Sequence, residues 1–136
     1  MRHATVDASV VFKWFKHENE PHRGEAERVR REFERGDLVL LAPSFLGLEL
    51  INTLGRRWAW PPGDLRDATI AFLGMGVSLD EPDLISVATW VERGLSAYDA
   101  AYLAVAERRA IPLVTADERV IAASDGIAVH VTRFAA

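Results

Sequence analysis

Short apolar runs alternate with longer helical patterns along the whole chain of 136 residues, and this alternation limits the possible folds more than any other feature. The clearest run, Leu-Val-Leu-Leu at 38–41, is apolar at every position, which is typical of a strand covered on both faces. Shorter runs occur at 4–6, 77–79, 113–114 and 129–131. Because strands that alternate with helices form mainly parallel sheets, we expect an α/β fold with a mainly parallel central sheet flanked by helices.

The segments between these runs have the patterns of helices. Ala26, Val29 and Phe33 form an apolar stripe in a charged segment that ends at Gly36, which predicts an amphipathic helix. We expect helices, in chain order, at 8–15, 23–35, 43–58, 65–73, 82–93, 96–109 and 117–123. No repeat or linker divides the chain, and its length fits one hydrophobic core, so we expect a single domain over residues 1–136.

Composition limits the chemistry that the chain can perform. The absence of cysteine excludes disulfides and thiolate metal sites, and four histidines argue against a zinc site. A metal ion would therefore be held by oxygen ligands, as Mg²⁺ or Mn²⁺ is. The net charge of −4 means that a nucleic-acid partner needs a local basic patch. We find no signal-peptide pattern and no apolar run of the roughly 18 residues that span a membrane, so we expect a cytoplasmic protein.

Four acidic residues lie at the places where an open α/β fold builds its site. Asp7 follows the first expected strand and Asp117 follows the fourth, whereas Glu49 and Asp99 lie within expected helices. Ligands bind beyond the carboxyl ends of parallel strands, so these acids could meet at one edge of the sheet. Two carboxylates about 4 Å apart repel by roughly 4 kcal/mol at an effective dielectric of 20. A chain that gathers several therefore favours a divalent metal ion over a purely structural use.

Each acid also has a structural explanation when it is taken alone. Asp7 could cap the helix that follows it, at a gain of about 1 kcal/mol. Asp99 follows Ser96 by three residues, a spacing that is similar to a capping box. Asp117 could be a first-turn acid that is favourable to the helix dipole, with Glu118 as the acid of a capping box. The joint placement of the acids, and no single one, indicates a site.

Glu49 begins a polar stripe with Asn52, Thr53 and Arg56, at helical spacing. The stripe could be a solvated face, or it could line a groove, because its flanking residues are strongly apolar. On a continuous helix Arg56 should point the same way as Glu49, where it could contact RNA phosphates. The other candidate RNA contacts are Lys13, Arg108 and Arg119, and each could equally be a solvated surface charge.

At this point the chain resembles the PIN-domain ribonucleases, and among them the VapC toxins of toxin–antitoxin pairs. The resemblance covers nearly the whole length and is carried by four segments in order: 6–15 (VDASVVFKWF), 48–52 (LELIN), 96–102 (SAYDAAY) and 113–117 (LVTAD). The acidic positions of the family fall on Asp7, Glu49, Asp99 and Asp117. Its small hydroxyl positions fall on Ser9 and Thr115.

The resemblance implies a PIN-like three-layer fold and an endoribonuclease that depends on Mg²⁺ or Mn²⁺. It implies that the four acids are the catalytic residues and the metal ligands, with Ser9, Thr115 and Asn52 in support. It also implies an RNA substrate, a homodimer, and a small VapB-like antitoxin protein that occupies the active-site groove. The segment 58–62 (Trp-Ala-Trp-Pro-Pro) looks too exposed for a core and could be an interface with such a partner.

Other functions are weaker interpretations of the same sequence. A phosphoacceptor receiver would need adjacent acids after the first strand and a late lysine, but Ala8 follows Asp7 and no lysine occurs beyond Lys16. Ser9 breaks the Asp-x-Asp start of a phosphatase, and no P-loop motif is present. The alternative that stays open is a catalytically silent PIN-like binding or scaffold module, although such a module has no need to gather four acids.

Overall fold

A single five-stranded parallel sheet forms the centre of the protein. The computed structural model describes residues 1–16 and 18–136. Its strands are β1 (Arg2–Val6), β2 (Leu38–Ala42), β3 (Ser78–Leu79), β4 (Leu113–Thr115) and β5 (Ala128–His130). Their order across the sheet is β3-β2-β1-β4-β5, and every neighbouring pair is parallel. The expected α/β architecture is therefore confirmed.

Helices connect the strands and flank the sheet. They are α1 (Ala8–Phe15), α2 (Arg23–Glu34), α3 (Leu46–Asn52), α4 (Pro62–Gly74), α5 (Leu84–Val91), α6 (Ala97–Arg109), α7 (Glu118–Ala123) and α8 (Val131–Phe134). A π-helical turn, Thr53–Arg57, continues directly from α3. No helix of the described residues has the length and the apolar character that crossing a membrane requires.

The order of the strands creates a switch point beside β1. The chain adds β2 and β3 on one side of β1 and then returns to add β4 and β5 on the other side. The connections after β1 and β4 therefore leave the sheet in opposite directions, and a crevice opens between them. Pairing of Val6 with Val114 brings the residues that follow these two strands to the same edge of the sheet.

Burial explains why these segments form their elements. The side chains of β2 are buried at four of its five positions, as expected for a strand with helices on both faces. Helix α6 is buried without a break over residues 100–106, where its alanines allow neighbouring elements to approach closely. Trp14 of α1 donates its indole N–H to the carbonyl of Ala26 at 2.9 Å, which fixes α1 against α2.

Several expected element boundaries were wrong, for identifiable reasons. The helix expected from Pro43 begins at Leu46, because Pro43 belongs to a turn in which its carbonyl accepts the Leu46 N–H. The expected break after the helix that ends near Trp58 is present, but the next helix begins at Pro62 and not at Leu65, because the missing N–H of a proline costs nothing at the first helical position. The helix expected from residue 82 begins at Leu84, with Asp83 as its N-cap. The last strand ends at 130, and the short α8 was not expected.

Candidate active site at the carboxyl edge of the sheet

Asp7 lies at the centre of the site, directly after β1, and is only 6% exposed. Its Oδ1 accepts hydrogen bonds from the Ser9 backbone N–H at 3.0 Å and from the Ser9 hydroxyl at 2.5 Å. Its Oδ2 accepts from the Thr115 hydroxyl, also at 2.5 Å. Asp7 therefore does cap α1, but the cap uses only one carboxylate oxygen, and the other is bound from a neighbouring strand.

Two hydroxyl groups connect Asp7 to the loop after β4. The Ser9 hydroxyl accepts the backbone N–H of Ala116 at 2.9 Å, and its oxygen lies 3.3 Å from the Thr115 hydroxyl oxygen. The Thr115 hydroxyl in turn accepts the backbone N–H of Asp117 at 3.0 Å. A continuous network of hydrogen bonds thus holds Asp7 and the start of α7 at a fixed separation.

Asp117 is the N-cap of α7, so its alternative explanation as a first-turn acid was wrong. Its Oδ1 accepts the Arg119 backbone N–H at 2.9 Å, because α7 begins at Glu118 and Thr115 is still part of β4. Its Oδ2 lies 2.9 Å from the Arg119 guanidinium, which also lies 3.9 Å from Asp99. Arg119 therefore joins two of the four acids.

Helix α6 contributes Asp99 and places it beside Glu49 of α3. Ser96 caps α6 by accepting the Asp99 backbone N–H at 3.1 Å. Tyr102, one turn further along, donates its hydroxyl to Glu49 Oε1 at 2.6 Å. Residues three apart share one face of a helix, so Tyr102 brings Glu49 towards the face that carries Asp99.

The pKa values show that the acids interact. Burial raises the pKa of Asp7 to about 6, hydrogen bonds from Ser9 and Thr115 oppose the rise, and the charge of Asp99 adds to it. Burial also raises the pKa of Glu49, again with a contribution from Asp99. The pKa of Asp99 itself is raised by burial and by the charge of Asp117. Asp99 is thus coupled to the other three acids, and the structure brings all four into one electrostatic group.

Comparisons with known proteins agree with this geometry. The family model described as the PIN domain matches residues 4–126. The chain belongs to the PIN domain family. The crystal structure of PAE2754 from Pyrobaculum aerophilum is similar over 99% of this chain and 94% of that one, with 27% sequence identity and a TM-score of 0.71. No curated protein matches the chain significantly. PIN domains are generally nucleases, and such nucleases typically use divalent metal ions.

The donor set of this PIN domain suits a hard divalent cation. As the side chains stand, no three acidic or histidine side chains of the described residues converge closely enough to hold a metal ion. All four acids nevertheless offer carboxylate oxygens, which are the ligands that Mg²⁺ and Mn²⁺ prefer. Burial is the main reason that the pKa values of Asp7, Glu49 and Asp99 are raised, and a cation among the acids would relieve the carboxylate repulsion that adds to this rise.

The polar residues that follow Glu49 along α3 and the π-helical turn differ in their exposure to solvent. Asn52 is exposed, but Thr53 is buried, so the polar stripe that begins at Glu49 is not a uniformly solvated face. Arg56 is exposed within the π-helical turn. The expectation that Arg56 points the same way as Glu49 assumed an unbroken α-helix, which the turn interrupts.

The other basic candidates are held by acidic partners. Lys13 is buried, with its ammonium group 2.8 Å from Glu20 Oε1. Arg108 lies 2.7 Å from Asp80, and Arg119 pairs with Asp117. An RNA phosphate would have to compete with these carboxylates. Arg57, which follows Arg56, lines a cavity together with Ser9 and Asp117.

Two residues that hold candidate site side chains, Tyr102 for Glu49 and Glu20 for Lys13, were not predicted. Tyr102 could have been found from its spacing of three residues after Asp99, which places both on one face of α6. Glu20 had no such signal, because it lies between α1 and α2 and meets Lys13 only through the fold.

Proposed function

We propose that this PIN domain is a metal-dependent endoribonuclease, the toxin of a VapBC-type toxin–antitoxin pair, which cleaves RNA phosphodiesters with carboxylate-bound Mg²⁺ or Mn²⁺. The observation that carries the proposal is the arrangement around Asp7. Its buried carboxylate is bound by Ser9 and Thr115 at the switch point of the sheet, and three further acids act on the same region. Membership of a family of nucleases supplies the class of reaction.

Asp7 and Asp99 are the residues that we assign to the ion most directly, with Glu49 and Asp117 completing the set. When bound, the ion would make water more acidic and neutralise charge on the phosphate. Ser9 and Thr115 hold the Asp7 carboxylate in one orientation, as hydrogen-bond donors behind a metal ligand commonly do. The ion would also remove the electrostatic repulsion among the four carboxylates.

Glu49 is the best candidate for the general base. Burial raises its pKa, and Tyr102 fixes its Oε1, so Oε2 is the oxygen that we assign to the attacking water, through which Glu49 would also reach the ion. Asp117 is less suited, because the guanidinium of Arg119 already engages its Oδ2. Water would attack phosphorus in line while Glu49 takes its proton, and the bond from phosphorus to the leaving oxygen would break, with a proton from solvent completing the leaving hydroxyl group.

The proposed protein partners are a second copy of the chain and a VapB-like antitoxin. A cavity of about 700 Å³ lies beside the segment 58–62, with Trp14, Phe15 and Trp60 among its walls. Aromatic walls of this kind are common where proteins bind one another. Leu84 and Ile85 are exposed at the start of α5, which supports a further apolar contact surface.

The test is RNA cleavage by purified, antitoxin-free protein. Total RNA would be incubated with Mg²⁺ or Mn²⁺, with EDTA, and with the variants Asp99→Asn and Asp37→Asn. Asp37 is an exposed acid outside the site, so Asp37→Asn is the matched control. We expect discrete fragments from the wild type and Asp37→Asn, none in EDTA, and none from Asp99→Asn.

The same experiment decides the alternative of a catalytically silent binding module. A silent module would leave RNA intact under every condition and would not change its melting temperature when Mn²⁺ is added. A metal site would raise the melting temperature as Mn²⁺ is added, because only the folded state binds the ion. Fragments that persist in EDTA would exclude the proposed metal-dependent mechanism.

A further inference from the structure

We propose that Lys13, Lys16 and Arg57 form a pocket for an RNA phosphate beside the acidic site, and that Glu20 closes this pocket until RNA displaces it. The inference rests on the proposed function in taking RNA as the ligand. It adds a binding subsite and a gating residue, Glu20, to the nuclease site.

The pocket is a cavity of about 410 Å³ that shares a wall with the acidic site. Its lining residues are Ser9, Phe12, Lys13, Lys16, Glu20, Arg57, Trp58, Ala116, Asp117 and Glu118. Ser9 and Asp117 belong to both places, since Ser9 donates to Asp7 and Asp117 is one of the four acids. A phosphate in this cavity would therefore lie close to the scissile phosphate at the acidic site. Neighbouring phosphates of one RNA strand are close to each other in the same way.

Glu20 occupies the position that a phosphate would take. Its Oε1 lies 2.8 Å from the Lys13 ammonium group, and its Oε2 lies 3.9 Å from that of Lys16. The side chains of Lys13 and Glu20 are only 5% and 16% exposed. Two cations that face the two oxygens of one anionic group would face two phosphate oxygens equally well.

A purely structural role explains this ion pair less well. Desolvation cancels much of the gain from a buried ion pair, so such pairs add little to stability. This pair lines a cavity beside the acidic site, so an anion in that cavity would contact Lys13 once Glu20 moves away. Glu20 also lies on the connection between α1 and α2, whereas Lys13 lies within α1, so the acid is the partner that can leave.

The cavity lining holds equal numbers of cations and acids while Glu20 is in place, and it becomes positive when Glu20 leaves. The remaining charged residues are then the three cations, Asp117 and Glu118. Arg119 already neutralises Asp117 from outside the cavity, at 2.9 Å. The open pocket is therefore cationic, despite the net charge of −4 for the whole chain.

Trp58 favours a nucleotide over a free anion. Its ring lines the cavity, and the Lys16 ammonium group lies 4.6 Å from the ring centroid. An aromatic ring beside a cationic groove is the arrangement with which proteins stack and hold single-stranded nucleic acid. RNA offers both a phosphate and a base to this pocket, whereas inorganic phosphate offers only the first.

The test compares Glu20→Gln with Glu25→Gln. Glu25 lies on α2, where it pairs with His22 and Arg28, and it does not line the cavity. Binding of a fluorescent single-stranded oligoribonucleotide would be measured in EDTA at several salt concentrations. We expect Glu20→Gln to bind about tenfold more tightly than Glu25→Gln. A plot of the logarithm of its affinity against the logarithm of the salt concentration should also be steeper by about 0.7 for each additional phosphate that it neutralises. Equal affinities, or no binding by either variant, would overturn the proposal.

A second variant covers the case in which Glu20→Gln fails to fold around an unpaired Lys13. The double variant Lys13→Gln/Glu20→Gln has a similar shape and no buried charge at this position. It removes the closing acid and one cation, so we expect it to bind more tightly than the wild type and less tightly than Glu20→Gln. Affinity no higher than that of the wild type would overturn the gating role of Glu20.

Two further comparisons test the pocket independently of the nuclease activity, and test RNA against free phosphate as the ligand. If the wild type cleaves RNA but Glu20→Gln binds RNA no more tightly, the nuclease proposal stands and the pocket proposal fails. If Glu20→Gln binds RNA more tightly but the wild type does not cleave it, the pocket proposal stands and the nuclease proposal fails. Inorganic phosphate should displace the oligoribonucleotide only at far higher concentration than unlabelled RNA does. Equal potency of the two competitors would show an anion site and overturn its assignment to RNA.

Discussion

Asp7 is held in a charge state that the fold disfavours. Burial raises its pKa from 3.8 to about 6, although Ser9 and Thr115 donate hydrogen bonds to it. An acid with a raised pKa contributes stability that is fully present below its unfolded pKa and is lost as the pH rises through its folded pKa. The rise from 3.8 to about 6 corresponds to roughly 3 kcal/mol, so ionised Asp7 destabilises the metal-free protein above pH 6.

The variant Asp7→Asn should therefore be more stable than the wild type while it loses activity. In EDTA at pH 7.5 we expect a gain of about 1–3 kcal/mol in the free energy of unfolding, because a neutral side chain replaces a buried charge. At pH 4 most of this gain should disappear. Urea unfolding at both pH values measures it, with Asp37→Asn as the control. A loss of stability at pH 7.5, or an equal gain at pH 4, would contradict this interpretation of Asp7.

Tyr102 is predicted to position Glu49 through its hydroxyl group. Tyr102→Phe removes the 2.6 Å hydrogen bond to Glu49 but keeps the ring, whose centroid lies 5.4 Å from that of Phe45. We expect Mn²⁺ affinity to fall by about tenfold or more, as it does when other metal ligands lose the hydrogen bond that orients them. Tyr98→Phe is the matched control, because Tyr98 also packs its ring against Phe45, at 5.3 Å, and is 63% exposed. Calorimetric titrations in which both variants bind Mn²⁺ equally would exclude the positioning role.

Individual site residues were predictable from the sequence where they directly follow an apolar run. Asp7 and Asp117 follow apolar runs, and parallel strands carry such residues to one edge of the sheet. Side-chain pairings were not predictable in this way. The bond between Tyr102 and Glu49 joins residues 53 positions apart, and the pair of Lys13 with Glu20 depends on how the connection after α1 folds back.

Among the elements, the π-helical turn after α3 packs closely against α4 at Gly55. A Cβ added at Gly55 would lie 2.9 Å from a methyl carbon of Leu65 on α4. We expect Gly55→Ala to stabilise the protein less than Gly24→Ala does, because the end of the Leu65 side chain must move to admit the Cβ. Gly24→Ala on the exposed start of α2 meets nothing within 4 Å and should stabilise by about 0.5 kcal/mol. Urea unfolding in which Gly55→Ala stabilises the protein as much as Gly24→Ala does would contradict this account of the packing at Gly55.

Element types were easier to predict from the sequence than element ends. Apolar runs and helical stripes identify the five strands and most of the helices, because burial dictates those patterns. The π-helical turn has no such sequence pattern. It is distinguished by a backbone hydrogen bond, from the Trp58 N–H to the Thr53 carbonyl at 2.9 Å, which does not depend on an apolar stripe. The start of α4 was expected at Leu65 and not at Pro62, because a proline that separates two helices and a proline that begins the second one look alike in sequence.

At the scale of the whole molecule, we predict a homodimer that uses the start of α5. Leu84 and Ile85 are 77% and 78% exposed, which is a high exposure for adjacent large apolar side chains. Light scattering should give twice the chain mass for the wild type and the chain mass for Leu84→Glu/Ile85→Glu. Ile70→Glu/Leu73→Glu, on the exposed face of α4, should remain dimeric. A monomeric wild type, or dissociation by the α4 variant alone, would contradict the prediction.

The strand order explains why one edge of the sheet can collect a site from distant parts of the chain. Asp7 and Thr115 come from neighbouring central strands, whereas Glu49 and Asp99 come from helices α3 and α6. The sequence predicted the parallel sheet, but the central position of β1 depends on how the strands pair. That pairing decides which carboxylates face one another.

Anomalous diffraction from crystals of the protein soaked in Mn²⁺ would locate the ion itself and so bears most directly on the four-carboxylate site. We predict a manganese peak that contacts the carboxylate of Asp99 together with at least one of Asp7, Glu49 and Asp117, and no such peak in crystals of Asp99→Asn. Manganese peaks elsewhere, with none at Asp99 in the wild type, would contradict the four-carboxylate site.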